Sequence, residues 1–243
     1  MSIRLSGAGL SHFNAGSALY ADLLSILEPL SKKDSTLWGE EAQAEASIRL
    51  NWIDLPTSSQ ALLPELESLT TWAHSRNLTN IILCGMGGSS LAPEVISKVF
   101  KKPLTVLDST NPDQIKAGIP DDLSRTIIVV SSKSGSTIET ASQRALFTQL
   151  LTEAGLNPAD HIVIVTDPGS PLDLDARSAG LRTINADPHV GGRYSALSAF
   201  GLVPAALMGV DVKSLLLEAE EAAKQFTAND LSLIHISEPT RPY

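Results

Sequence analysis

Serine, threonine, glycine and a single lysine crowd into the run SSKSGSTIET, residues 131–140. A phosphate monoester is held by such a set: short hydroxyl donors, backbone N–H groups and a local cation. Ser136 and Glu139 also have the spacing of a helix capping box. A cap leaves Ser132, Lys133, Ser134 and Thr137 unexplained, so the run predicts phosphate binding. A second run, CGMGGSSLAPE (84–94), sets Gly85, Gly87, Gly88, Ser89 and Ser90 between an apolar stretch and a helical one. Glycines there let backbone amides approach an anion, and the helix start adds unpaired donors and partial positive charge; a tight turn without a ligand is the plainer alternative. A third run, GGRYSALSAFGLVPAAL (191–207), places Arg193 ahead of an apolar helix. A guanidinium at the mouth of a buried element suits an oxyanion, although a structural salt bridge would also use it.

Elements of one kind must carry all three runs. Short β-branched runs recur from residue 79 onward: NIILCG, LTVLD, TIIVVSS, HIVIVTD and RTIN, the first four nearly all apolar. Such stretches suit strands covered on both faces. Helical segments lie between them (SSLAPEVISKVF, NPDQIKAG and STIETASQRALFTQLLTEAG), and strand alternating with helix predicts an α/β fold with a doubly wound, mainly parallel sheet. Ligands of these sheets sit beyond the carboxyl ends of the strands, so the loops after Cys84, Asp108, Ser131 and Asp167 are the places to look. Residues 1–78 predict a helical segment packing on the sheet, with Leu19, Leu23, Leu24 and Leu27 on one face. A second helix carries Leu62, Leu66, Leu69 and Trp72 or Ala73 inward and Pro64 in its first turn. Trp38, Trp52 and Trp72 are expected to pack. The α/β domain is expected over 79–210, and a connecting helix begins over 211–230. On that helix Glu218, Glu220 and Glu221 form a solvated face opposite Val212, Leu215, Leu216, Ala219 and Ala223.

Composition narrows the partners. The chain has 243 residues, 43% of them hydrophobic, and a formal net charge of −9. A nucleic-acid binder shows a basic surface, so that class is not expected. An anion cannot be steered to an acidic molecule by global charge; its site must be locally positive. One cysteine, Cys84, allows no intrachain disulfide and is expected to be buried rather than nucleophilic. No stretch suits a signal peptide or a membrane span, and a cytoplasmic protein is expected. His12, His74 and His161 have no partners at metal spacing, His189 is expected to be solvated, and neither a metal nor a cofactor is predicted.

The three runs together resemble the phosphoglucose isomerase family of the SIS (sugar isomerase) superfamily. Gly85 to Ser89 match its G-x-G-G-S turn, Ser132 to Thr140 its S-K-[ST]-x-[ST]-T-x-E-T loop, and Gly191 to Ser195 its G-G-R-[FY]-S signature. The order is that of the family, and the flavour is bacterial. Phe200 and Val203 stand where the signature has a smaller residue and a glycine. The resemblance implies that Ser89, Ser132, Lys133 (through its backbone), Ser134 and Thr137 hold a sugar phosphate and that Gly87 and Gly88 let the backbone approach the sugar. Arg193 would stabilise a cis-enediolate. Implied too are glucose 6-phosphate–fructose 6-phosphate isomerisation, a first SIS domain over 79–210 and a homodimer. Two other functions fit parts of the sequence. A dinucleotide-binding oxidoreductase would use Gly85, Gly87 and Asp108, but Ser90 stands at the third glycine position and SSKSGST is left idle. A non-catalytic SIS-type sugar-phosphate regulator lacks a helix-turn-helix signature or a basic face, and the arginine run favours an enzyme.

In the family the base glutamate follows the arginine signature at a greater distance than this chain extends, and nothing after Ala205 offers its motif. The final run LSLIHISEPTRPY (231–243) changes style abruptly. Its first eleven residues resemble the translation of a transposase adapter used in sequencing libraries. The expectation is that 231–243 is not native and that the chain is an N-terminal piece of an isomerase, inactive alone.

Overall fold

The computed structural model describes residues 17–227. The adapter-like run, His12 and the side chain of Leu19 lie outside the described residues. Five strands form one parallel sheet: β1 (Asn80–Gly85), β2 (Thr105–Leu107), β3 (Thr126–Ser132), β4 (Ile162–Thr166) and β5 (Arg182–Asn185), in the order β2-β1-β3-β4-β5. Each strand matches a predicted run. Before the sheet come α1 (Ala18–Ser31), α2 (Glu40–Ala46), α3 (Leu55–Ser58) and α4 (Leu63–Ser75). Between and after the strands come α5 (Gly88–Phe100), α6 (Pro112–Ala117), α7 (Ile138–Glu153), α8 (Pro171–Ser178), α9 (Ala199–Leu207) and α10 (Val212–Thr227).

The central strands β1, β3 and β4 are covered on both faces and are largely apolar, whereas the edge strands β2 and β5 are partly exposed and β5 is mostly polar. Side chains alternate across a strand, so Ile81, Leu83, Ile127, Val129, Val163 and Val165 enter one core and Ile82, Cys84, Ile128, Val130, Ile162 and Ile164 enter the other. The first core is closed by Leu66, Leu69 and Ala73 of α4, by α9 and by Leu216 of α10. The second is closed by Phe147 and Leu151 of α7 and by Leu172 and Ala176 of α8. Each such aliphatic side chain contributes about 1.5–3 kcal/mol on burial. Helix α9 is buried on nearly every side, Phe200 and Val203 included, and Gly201 allows its contact with Ala196: a Cβ there would stand 1.9 Å from the Ala196 carbonyl oxygen. Burial pushes the Cys84 thiol well above its ordinary pKa, which keeps it protonated and inert.

Pro64 lies in the first turn of α4, where its missing N–H costs nothing. Three expectations need correction. Trp38 is 46% exposed because the short 3-10 turn Ser35–Trp38 ends at the surface. Glu220 is not merely solvated: it accepts from Gln60 Nε2 at 2.9 Å and pairs with Lys224. Glu218 and Glu221 are exposed. Ser136 does not cap α7; Thr137 occupies the N-cap position and makes no side-chain cap bond.

Candidate functional site

Strand order turns over between β1 and β3, since β2 lies to one side of β1 and β3 to β5 run away on the other. In such a sheet the crevice forms beyond the carboxyl ends at that switch point. There Gly85 pairs in register with Ser131, so the loops 85–88 and 131–137 emerge side by side. The first opens α5 and the second opens α7. Two helix N-termini thus face one crevice, which supplies positive potential within an acidic chain.

The first loop turns at Gly87, whose φ of +57° disfavours any residue with a side chain. The next residue touches the third run: a Cβ on Gly88 would stand 2.3 Å from the carbonyl oxygen of Gly192. Only glycine lets the 191–193 segment come this close. Ser89 and Ser90 are buried in the first turn of α5. Ser90 Oγ donates to the Gly87 carbonyl at 3.1 Å, bracing the turn.

In the second loop Ser132 Oγ and Thr137 Oγ1 lie 3.0 Å apart and share a hydrogen bond. Ser134 Oγ accepts from the amide and the hydroxyl of Ser136 at 3.3 and 3.1 Å. No side chain caps α7, so its first-turn amides are left for an anion. Buried and unpartnered hydroxyls stand behind the loop on Ser131 and Thr140. The Lys133 ammonium is not the loose local cation its place in the run suggests. It donates to Asp167 Oδ2 at 2.7 Å and to the carbonyls of Pro188 and Asp187 at 3.3 and 3.5 Å. What Lys133 can give an anion is its backbone.

Arg193 is exposed in the 3-10 turn Gly192–Leu197. Among the described residues its guanidinium makes no ion pair. Beside it opens a cleft of about 360 Å³ between Trp38, Arg49, Trp52 and Tyr194, where Trp52 stacks on Tyr194 with ring centroids 5.2 Å apart. The three predicted runs therefore meet: the first and second through β-pairing, the first and third through Gly88 and Gly192. His189 is exposed, and His161 is buried with Nδ1 2.8 Å from the Thr126 carbonyl.

Sequence reasoning missed Asp167, Asp187, Arg49 and Asn51. Burial raises the Asp167 carboxyl above its usual pKa, and the hydrogen bond and charge of Lys133 work against that rise. Its other oxygen, Oδ1, is buried without a partner. One signal existed for Asp167, an acid ending an apolar strand next to a strand that ends in lysine. Arg49, Asn51 and Asp187 come together across more than a hundred residues of chain, and nothing local announces it. Among the described residues no group of acids, histidines and cysteines could hold a metal ion, and no helix is long and apolar enough to cross a membrane.

The fold is a parallel α/β sheet with hydroxyl-rich turns lacking side-chain caps at its switch point and an exposed arginine turn packed against one of them. Comparison with known proteins carries this further. The family described as phosphoglucose isomerase matches residues 67–232. The chain is 36% identical over 180 residues to glucose-6-phosphate isomerase of Cyanothece sp., covering 67% of this chain and 34% of that protein. It is 33% identical over 188 residues to glucose-6-phosphate isomerase of Thermus thermophilus, covering 74% and 44%. A solved structure of a hypothetical protein from the same species superposes with a TM-score of 0.70 at 28% identity, over 89% of this chain and 55% of that one. The chain belongs to the phosphoglucose isomerase family, and it spans between a third and a half of the length of these curated relatives.

Proposed function

We propose that this chain forms the phosphate-binding part of an aldose–ketose isomerase that interconverts glucose 6-phosphate and fructose 6-phosphate through a cis-enediolate. The observation that carries it is the meeting of the three runs at one switch point in a chain of this family. The phosphoryl group takes the amides of Lys133, Ser134 and Thr137, the hydroxyls of Ser132 and Thr137, and the end of α5 at Ser89. Gly87 and Gly88 leave room for the sugar. Proton removal at C2 builds negative charge on the carbonyl oxygen, and Arg193 stabilises that charge; one such donor contributes about 3–4 kcal/mol to the transition state. No cofactor or metal is invoked, and the protein acts in the cytoplasm as a homodimer. The family's base glutamate has no counterpart at the matched positions, and the acids of α10 are not bonded to any of the three loops. We expect this chain alone to bind the sugar phosphate without turning it over.

The test uses the complete gene product in a coupled isomerase assay. Conversion of fructose 6-phosphate to glucose 6-phosphate is expected, and its absence refutes the proposal. Arg193→Ala is expected to lower kcat by about 100–1000-fold, with the Kd for glucose 6-phosphate nearly unchanged. Equal losses in both would remove Arg193 from the enediolate.

A further inference from the structure

The Lys133 side chain sits at the end of β3 but reaches away from the phosphate turn. It lies three-quarters buried against Asp167, at the end of β4, with side-chain exposures of 22% and 18%. From there it also touches the carbonyls of Asp187 and Pro188. The same stretch is gripped from its far side. Arg49 Nη1 donates to the Pro188 carbonyl at 2.9 Å, and Asn51 Nδ2 donates to Asp187 Oδ2 at 2.8 Å. Leu50 makes an antiparallel bridge with Val190, and the Asn51 amide points at the His189 carbonyl at 3.4 Å. Three residues past Val190 comes Arg193, and between them Gly192 rests on Gly88.

We propose that Asp167 is a positioning residue: it holds the Lys133 ammonium against the 187–190 stretch and so fixes the distance between the phosphate loop and Arg193. Asp167 acts on the substrate only through these neighbours. The arrangement needs a carboxylate at this place because a lysine in that position, released from Asp167, would be free to swing toward a bound phosphate. It would then hold the anion as a flexible point charge and let go of the arginine loop. With the pair closed, the phosphate is left to rigid amides and hydroxyls, and the guanidinium stands at one set position. Small displacements of a charged group lose large factors in rate, which gives the clamp a catalytic consequence beyond stability.

This inference rests on the isomerase reading above, so the test has one arm that does not. In hydrogen exchange on the present chain, Lys133→Met and Asp167→Asn are each expected to speed the amides of 189–194 by about tenfold or more, while those of β1 and β3 stay protected. Unchanged exchange in both variants overturns the clamp, whatever the protein catalyses. In the complete gene product the same substitutions are expected to lower kcat about 10–100-fold, with KM changed less than threefold. Lys133→Arg, which restores a cation to Asp167, is expected to recover at least a third of the lost kcat. Faster exchange with kcat intact, or kcat and KM falling together without rescue by arginine, overturns the positioning role. A wild-type product with no isomerase activity refutes the isomerase reading and leaves exchange to judge the clamp.

Discussion

Gly88 shows how narrow the tolerance of the site is at the scale of one residue. Its Cα rests on the backbone of Gly192, and a methyl group there would meet the carbonyl oxygen at 2.3 Å and the carbonyl carbon at 2.6 Å. Both atoms are main chain, so neither can swing aside. Gly88→Ala must push the 191–193 segment outward or unwind the first turn of α5. Overpacking of this kind costs roughly 1–3 kcal/mol. We therefore expect a lowered Tm and, because Arg193 moves with the segment, a loss of turnover in the complete gene product larger than any loss of phosphate affinity. Gly87 differs: a Cβ there meets nothing within 4 Å, and its requirement is the φ of +57°. At φ +57° and ψ −119° it lies outside the left-handed basin in which Asn is at ease, so Gly87→Asn strains that turn alone, whereas Gly88→Ala displaces main chain of two segments, and Gly87→Asn is expected to be the milder in Tm. A thermal melt of both variants beside the wild type decides it, and the reverse order would show that turn conformation, not close approach, limits the loop.

At the scale of elements, the boundaries of helix starts show what the sequence could and could not tell. Short β-branched runs located all five strands, and full burial on two faces gives β1, β3 and β4 a continuous apolar signal that the partly exposed edge strands β2 and β5 lack. Runs of glycine and serine after two of them located the crevice, because only such residues fit a sharp turn that offers its amides. Side-chain capping lies elsewhere than the box spacing suggests. Ser136 and Glu139 have the spacing but not the contact, since Ser136 turns to Ser134 instead. Serine and aspartate together cap the start of α8: Ser170 Oγ accepts from the Asp173 amide at 3.1 Å, and Asp173 Oδ2 accepts from the Gly169 amide, one residue before the cap, at 2.8 Å. Asp173 Oδ1 further accepts from Arg177 Nε at 2.8 Å and Asn185 Nδ2 at 3.0 Å, tying α8 to β5. The backbone bond from Gly169 leads in holding the Asp173 carboxyl below its usual pKa. A lowered folded-state pKa means stability that is complete above the unfolded value and lost as pH falls through the folded one. Asp173→Asn should therefore lower Tm at neutral pH and lose that deficit as the buffer is taken below the lowered pKa of the Asp173 carboxyl. Asp167, raised by burial, works in the opposite sense, since its ionised form disfavours the folded state above its pKa. A pH series of melts separates the two: a deficit for Asp173→Asn that persists in acid would assign its role to packing rather than charge.

On the scale of the whole molecule, α5 contradicts the usual rule that a surface helix turns its apolar side inward. Its buried positions are Ser89, Ser90, Pro93 and Ser97, small side chains that let the helix lie close to α9 and to the turn carrying Arg193. Its outer face carries Leu91, Val95 and Val99 at successive i+4 steps, 57%, 59% and 69% exposed, with Phe100 at 42%. Periodicity alone would have buried the wrong side, because the close approach of backbones at Gly88 and Gly192 dictates small residues inward. An apolar stripe of this length on an exposed helix favours association, and the net charge of −9 opposes it by mutual repulsion. Salt removes the repulsion and leaves the stripe: the Debye length falls from about 10 Å at 0.1 M to about 3 Å at 1 M. The isolated chain is therefore expected to self-associate more strongly as salt rises, the reverse of what a charge-driven contact would do. Val95→Lys with Val99→Glu should keep it monomeric at both salt concentrations in light scattering, with a stability change within about 0.5 kcal/mol, since neither side chain packs inside. Association that weakens with salt, or that survives the double substitution, would place the sticky surface elsewhere on the molecule.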